Sequence, residues 1–176
     1  HGSFSMLQID AHADLRKAYE GFTYSHASIM YNALKQVPAI EALVQVGIRD
    51  LCQEEAELAN EHAKVHLHTD AQMQAHLLEG KGFEAWVASL LKPLGNEVYI
   101  SVDIDGLDPS LCPSTGTPVP GGLSFYQACR LVQMVVESGR KVIGFDLVEV
   151  VPGPTEWDAN VGARMLFQLC AAVHAS

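Results

Sequence analysis

Basic residues are scarce. Eleven Lys and Arg stand against 21 Asp and Glu, a net charge of −10 with histidine neutral. Nucleic-acid binding rests on cations that neutralise phosphates, so this balance argues against it. It suits a cationic ligand mildly, or serves solubility alone. Cysteine is sparse and spaced for neither metal nor disulfide work. Cys52, Cys112, Cys129 and Cys170 form no CxxC pair and lie in apolar or helical sequence. They are expected as reduced, small apolar residues of a cytoplasmic protein. No apolar run is long enough for a membrane span. The opening His1-Gly2-Ser3-Phe4 lacks the basic region and apolar core of a secretory leader. Aromatic residues make up 7 % and charged residues 18 %, against 48 % apolar. That is the composition of a chain with a real core, which excludes disorder. With no repeat, low-complexity tract or linker, residues 1–176 are expected as a single domain.

Apolar runs alternate with helical patterns. Strands are expected at Ser5–Ile9, Leu43–Ile48, Lys64–His68, Glu97–Val102 and Lys141–Phe145. Helices are expected at His26–Gln36, Leu51–Ala63, Ala71–Leu78, Phe83–Lys92, Ser124–Ser138 and Ala159–Ala172. Strands separated by helices predict an α/β fold, a parallel sheet flanked by helices on both faces. The Pro/Gly-rich stretch Asp108–Gly122 follows a strand, so it is expected to wall a ligand site. Trp86 and Trp157 are read as packing residues.

The first strand runs into Asp10-Ala11-His12-Ala13-Asp14. Side chains at alternate positions of an extended chain share one face. Two carboxylates and an imidazole there desolvate and repel one another unless a cation holds them. Asp14 alone could be a helix cap, which would leave Asp10 and His12 unexplained. A second pair, Asp103 and Asp105, ends the run Val98–Val102 in the same way. Two strands ending in carboxylates at spacing two suggest a carboxylate-bridged metal pair. Oxygen ligands with imidazole and no thiolate suit Mn²⁺ or another first-row ion better than structural zinc. His26, within Ser25-His26-Ala27-Ser28, is a helix-start histidine or a proton shuttle. Glu149 sits in the apolar run Phe145–Val151 and needs a polar cavity or a cation; Arg164 and Arg49 are the ion-pair alternatives. His62, His66, His68, His76 and His174 have no ligand-like spacing.

Together these residues resemble the ureohydrolase family of arginases, agmatinases, guanidinobutyrases and formimidoylglutamases. The resemblance rests on Asp10-Ala11-His12-Ala13-Asp14, Ser25-His26-Ala27-Ser28, Asp103-Ile104-Asp105-Gly106-Leu107-Asp108-Pro109, Gly116-Thr117-Pro118-Val119-Pro120-Gly121-Gly122-Leu123 and Asp146-Leu147-Val148-Glu149, in family order. Asp14-Leu15-Arg16 through Tyr19-Glu20-Gly21 is most similar to the agmatinase branch.

The resemblance implies an arginase/deacetylase-like three-layer fold of which five C-terminal strands are present. It implies two Mn²⁺ ions, bridged by Asp10 and Asp103. His12 and Asp105 would complete one ion, and Asp14 would ligate the other. His26 would be the proton relay and Glu149 the guanidinium-binding carboxylate. It further implies a small guanidino substrate, most readily agmatine cleaved to putrescine and urea in polyamine biosynthesis, and a cytoplasmic homo-oligomer. Arg16 and Phe22 stand where arginases hold the amino-acid end with Asn and Ser. That disfavours arginine, although Arg16 could instead take an anionic tail. The family's upstream Gly-Gly-Asp-His-Ser segment, with a further histidine ligand, has no match. The chain is therefore expected to be one partial domain, with guanidinobutyrase, arginase, formimidoylglutamase, a single-zinc deacetylase relative and an inactive fragment or interaction module as alternatives.

Overall fold

A computed structural model describes residues 2–176. Five strands form one parallel sheet: β1 (Phe4–Ile9), β2 (Ile40–Ile48), β3 (Val65–Thr69), β4 (Glu97–Asp103) and β5 (Lys141–Val148), in the order β3-β2-β1-β4-β5. The helices between them are α1 (Ile29–Gln36), α2 (Gln53–Glu61), α3 (Asp70–Leu78), α4 (Phe83–Leu90), α5 (Phe125–Glu137) and α6 (Trp157–Ala175). The α/β fold with a parallel sheet is as expected, and its five strands are contiguous neighbours.

The central strands explain the topology. β1 and β2 are buried almost throughout, and Val98, Ile100 and Val102 of β4 are fully buried. Such near-continuous apolar runs suit a sheet covered on both faces. Alternation splits the core in two. Leu7, Ile9, Val44, Val46, Ile100 and Val102 pack with residues of α3 to α6, while Met6 and Leu43 pack with Met30 of α1 and Ala59 of α2. α5 shows the pattern clearly, burying Ala128, Leu131, Val132 and Val135 on one stripe. Ser124 accepts from Gln127 N at 3.2 Å and Gln127 Oε1 accepts from Ser124 N at 2.8 Å, a reciprocal cap.

Three details differ from expectation. The helix predicted from His26 is a 3₁₀ turn at His26–Ser28 followed by α1. The break arises because Met30 N and Tyr31 N donate to the Asp14 carbonyl, at 3.1 and 3.2 Å. Asp14 thus supplies the partner for these helix-start N–H groups, while Ser25 Oγ pairs with Ser28 Oγ and caps nothing. Trp86 is a core residue, but Trp157 is 48 % exposed at the start of α6, its indole N–H donating to Ser110 O. Cys112 and Cys129 are buried, whereas Cys52 is half-buried and Cys170 exposed, because α6 turns Cys170 away from the sheet.

Candidate metal centre and active site

Register brings the site together. Ile9 pairs with Val46 and Val102, and Asp103 pairs with Val148. The carboxyl ends of β1, β4 and β5 therefore lie side by side, where ligands bind in α/β sheets. Asp10, His12, Asp14, Asp103, His26 and Glu149 line one cavity of about 640 Å³, with Gly116 and Thr117 from the Pro/Gly-rich loop as wall. Asp105 lies behind His12 and Thr117. Its Oδ2 is 3.1 Å from His12 Nδ1 and accepts from Thr117 Oγ1 at 3.2 Å.

Asp10, His12 and Asp105 offer ligand atoms all within 4.8 Å of one another. Asp10 Oδ2 accepts from the Gln8 amide and Oδ1 from His12 N, each at 2.7 Å. Asp105 Oδ1 accepts from Ala11 N, and Asp105 N donates to Asp103 Oδ1 at 2.9 Å. This packing needs Gly106: a Cβ there would stand 2.8 Å from Asp10 N. Asp14 and Asp103 face the same cavity without joining that tight trio. Asp14 has φ +53°, a left-handed conformation costing about 1 kcal/mol or more and held in place by its capping of α1.

Burial and mutual repulsion dominate the electrostatics. Burial, with the Asp10 charge added, pushes Asp14 up to about 8 and Asp103 up to about 9. Burial also raises Asp10. His12 is pushed up to about 10 by its hydrogen bonds to Asp10 and Asp105. Burial works to raise Asp105 too, but the His12 hydrogen bond and charge outweigh it and hold Asp105 below the usual carboxylate range. Carboxylates crowded in this way suit a divalent cation in place of their protons.

Glu149 does not make the ion pairs considered above. Arg164 bonds Asn160 Oδ1, and the Arg49 guanidinium is spent on the carbonyls of Gly47, Asp105, Leu107 and Val119. Glu149 instead projects from β5's end at φ +59°, its carbonyl held by Thr115 Oγ1 at 3.0 Å. A Cβ on Gly116 would lie 3.6 Å from Glu149 Oε2, ordinary contact, so Gly116 lies directly beside that carboxylate. Phe22 is 68 % exposed and is not among the cavity's lining residues; Tyr19, Ile29 and Met30 line that end.

Sequence reading missed several partners. Gln8 and Gln45 are register neighbours, both fully buried, and Gln45 Nε2 donates to Gln8 Oε1 and Ala13 O at 2.6 Å. Among the described residues, Gln45 Oε1 has no hydrogen-bond partner. Two amides within runs that alternation assigns to the core were the available signal. Buried Glu55 accepts from Leu15 N and Cys52 N and lies 3.5 Å from Arg16 Nε. No local pattern marks it.

A sequence model described as the Arginase family matches residues 1–172. An N(1)-aminopropylagmatine ureohydrolase of Thermus thermophilus is 43 % identical over 152 residues, 86 % of this chain and 47 % of the relative. An agmatinase of Halalkalibacterium halodurans is 35 % identical over 153 residues, 84 % of this chain and 47 % of that protein. Among solved structures, the proclavaminate amidino hydrolase of Streptomyces clavuligerus superposes with a TM-score of 0.83 at 27 % identity, covering 99 % of this chain and 57 % of that one. The chain thus spans about half the length of the curated relatives it matches.

Proposed function

This chain belongs to the arginase family, and from that premise we propose that it carries the metal-binding and guanidinium-binding part of a dinuclear manganese ureohydrolase. The reaction is hydrolysis of a guanidino compound to urea and an amine, with agmatine as the favoured substrate. The observation that carries this reading is the convergence of Asp10, His12, Asp14 and Asp103 with His26 and Glu149 on one cavity.

The residues fit a metal pair. Their oxygen and imidazole donors suit Mn²⁺, and among the described residues the mutually repelling carboxylates form ion pairs with His12 alone, although the Arg49 charge also acts on Asp10 and Asp105. Asp10 and Asp103 would bridge, His12 and Asp105 would complete one ion, and Asp14 would serve the other. When bound, such a pair lowers the pKa of a shared water and so supplies a nucleophile at neutral pH. Glu149 orients the planar guanidinium by paired hydrogen bonds. His26 carries a proton to the departing amine. Thr117 and Ala11 N hold Asp105, and Gln8 holds Asp10, so hydrogen bonds orient these two carboxylates.

The far end of the cavity bears on substrate choice. Arg16 is paired with buried Glu55 and stacked on Tyr19 at 5.2 Å. Its charge is already met, which favours agmatine over a guanidino acid with an anionic tail. The single-zinc alternative draws on the tight trio Asp10, His12 and Asp105, whereas Asp14, Asp103 and Glu149 in the same cavity support the two-ion hydrolase. We place the enzyme in polyamine biosynthesis, in the cytoplasm, as a homo-oligomer. The test is urea release by the full-length protein with Mn²⁺, offered agmatine, arginine and 4-guanidinobutyrate. Agmatine is expected to be turned over fastest. Equal turnover of arginine and agmatine would defeat the substrate argument, and acetyl-lysine hydrolysis without urea would favour the single-zinc reading.

A further inference from the structure

Between Asp14 and His26 the chain makes a short hairpin excursion over the cavity mouth. Arg16 N to Ala27 O closes its base at 3.2 Å, and Tyr19 and Phe22 exchange backbone hydrogen bonds at 2.9 and 2.8 Å near its tip. Glu20 and Gly21 both have positive φ, +50° and +86°, the geometry of a type I′ turn. The tip is exposed, so the core does not hold it. A relay of side chains contributes to holding it, beside Asn32 Nδ2, which donates to Thr23 O at 2.8 Å. Glu55, 3 % exposed, is anchored by Leu15 N and Cys52 N and lies 3.5 Å from Arg16 Nε. The Arg16 guanidinium covers the Tyr19 ring, and Tyr19 meets the His26 imidazole edge to face at 5.4 Å and 76°. Among the described residues, no protein group hydrogen-bonds either nitrogen of His26. Tyr19 is its one ring contact.

We propose that Arg16 and Tyr19 are positioning residues for His26: buried Glu55 fixes Arg16, Arg16 fixes the Tyr19 ring, and that ring sets the imidazole against the cavity. The proposal rests on the reading of His26 as the proton carrier. An imidazole with free nitrogens can exchange protons with substrate, but nothing polar then holds its rotamer. Aromatic and cation–π contacts supply orientation while leaving both nitrogens available. Each such contact shifts a conformational equilibrium by about fivefold. The Tyr19 hydroxyl takes no part, so the ring alone is required.

The experiment uses the full-length protein and compares Tyr19→Leu, Tyr19→Phe, Arg16→Gln and His26→Asn. The readouts are kcat and KM for agmatine with Mn²⁺ and, on the metal-free protein because paramagnetic Mn²⁺ broadens nearby signals, the NMR shift of the His26 ring protons, which senses the ring current of Tyr19. Tyr19→Leu is expected to lower kcat about tenfold with KM within twofold, and to move the His26 signals to averaged values. Tyr19→Phe is expected to restore both, and Arg16→Gln to give a smaller loss of the same kind. An unchanged His26 signal and kcat in Tyr19→Leu overturns the proposal. So does a raised KM with kcat intact, which would make Tyr19 a substrate wall. Should His26→Asn retain full kcat, the reading of His26 as proton carrier fails, while the NMR shifts still decide whether Tyr19 orients the ring. Should Tyr19→Leu unfold, Tyr19→Phe and Arg16→Gln decide: loss of activity in the former, or none in the latter, overturns the relay.

Discussion

Gln8→Leu should weaken metal binding about 30-fold while leaving every proposed ligand in place. Gln8 is fully buried on β1, and its amide donates to Asp10 Oδ2 at 2.7 Å while its carbonyl accepts from Gln45 at 2.6 Å. Leucine fills similar space and removes these bonds, along with a longer one from Gln8 Nε2 to His12 O at 3.4 Å. A hydrogen bond to a carboxylate contributes about 2 kcal/mol, which corresponds to about 30-fold in affinity. That lies inside the range of about 10- to 100-fold for partners that orient metal ligands. The sign follows from the carboxylate: without the Gln8 amide, Asp10 holds its proton more firmly and competes with the ion. Stability should fall as well, because Gln45 loses one acceptor and its own Oε1 is already unpartnered. Gln8→Leu/Gln45→Leu removes the stranded amide, so the double variant should lose less stability than the two single losses summed. Calorimetric titration with Mn²⁺ and urea denaturation measure the two quantities. Affinity within twofold of the parent, or additive stability losses, would show that the amide pair neither holds Asp10 nor acts as a unit.

Asp103→Asn removes a proposed bridging charge and should abolish urea formation while the fold, read by circular dichroism, persists. Arg49→Met frees four backbone carbonyls at once and should cost about 3 kcal/mol together with metal affinity; a melting temperature unchanged from the parent refutes this. In the metal-free protein, His12, Asp14 and Asp103 keep protons up to about 10, 8 and 9, above their unfolded values. At these three groups the folded state then binds more protons than the unfolded one, so their contribution to stability is full only below the ordinary values of 3.8 and 6.5 and is lost as pH rises from there through the folded ones. Melting temperature should fall between about pH 7 and pH 10 while Mn²⁺ affinity rises, since the ion displaces the same protons; a rising melting temperature refutes this. β5 pairs with β4 on one side only, and an open apolar edge invites pairing with another chain. Residues 1–176 expressed alone should self-associate and form little urea, and a well-behaved monomer with full turnover in sedimentation and urea assays counts against it.

The sheet and its helices were legible because the local signals agree. Each expected strand is found within a few residues, since β1, β2 and β4 are apolar runs and the helices between them are periodic. The carboxylate and histidine clusters were legible because Asp10, His12, Asp103 and Asp105 crowd two strand ends within a few residues of each other. What escaped notice depends on contacts made across the fold. Glu55 reaches Leu15 across 40 positions, and Arg49 reaches Val119 across 70. Neither residue type nor spacing signals such a pairing. Glu149 was expected to need a cavity or a cation, and it has the cavity. The Arg49 alternative failed because that side chain satisfies backbone carbonyls, those of Asp105, Leu107 and Val119 among them, which only the fold brings within reach.

The account rests on two ions sharing Asp10 and Asp103. The most direct test is anomalous diffraction at the manganese edge from crystals of the full-length protein grown with Mn²⁺. The account predicts two peaks in the cavity, both within bonding distance of Asp10 and Asp103, one beside His12 and Asp105 and the other beside Asp14. A single peak held by Asp10, His12 and Asp105, with Asp14 and Asp103 free of metal, would contradict it.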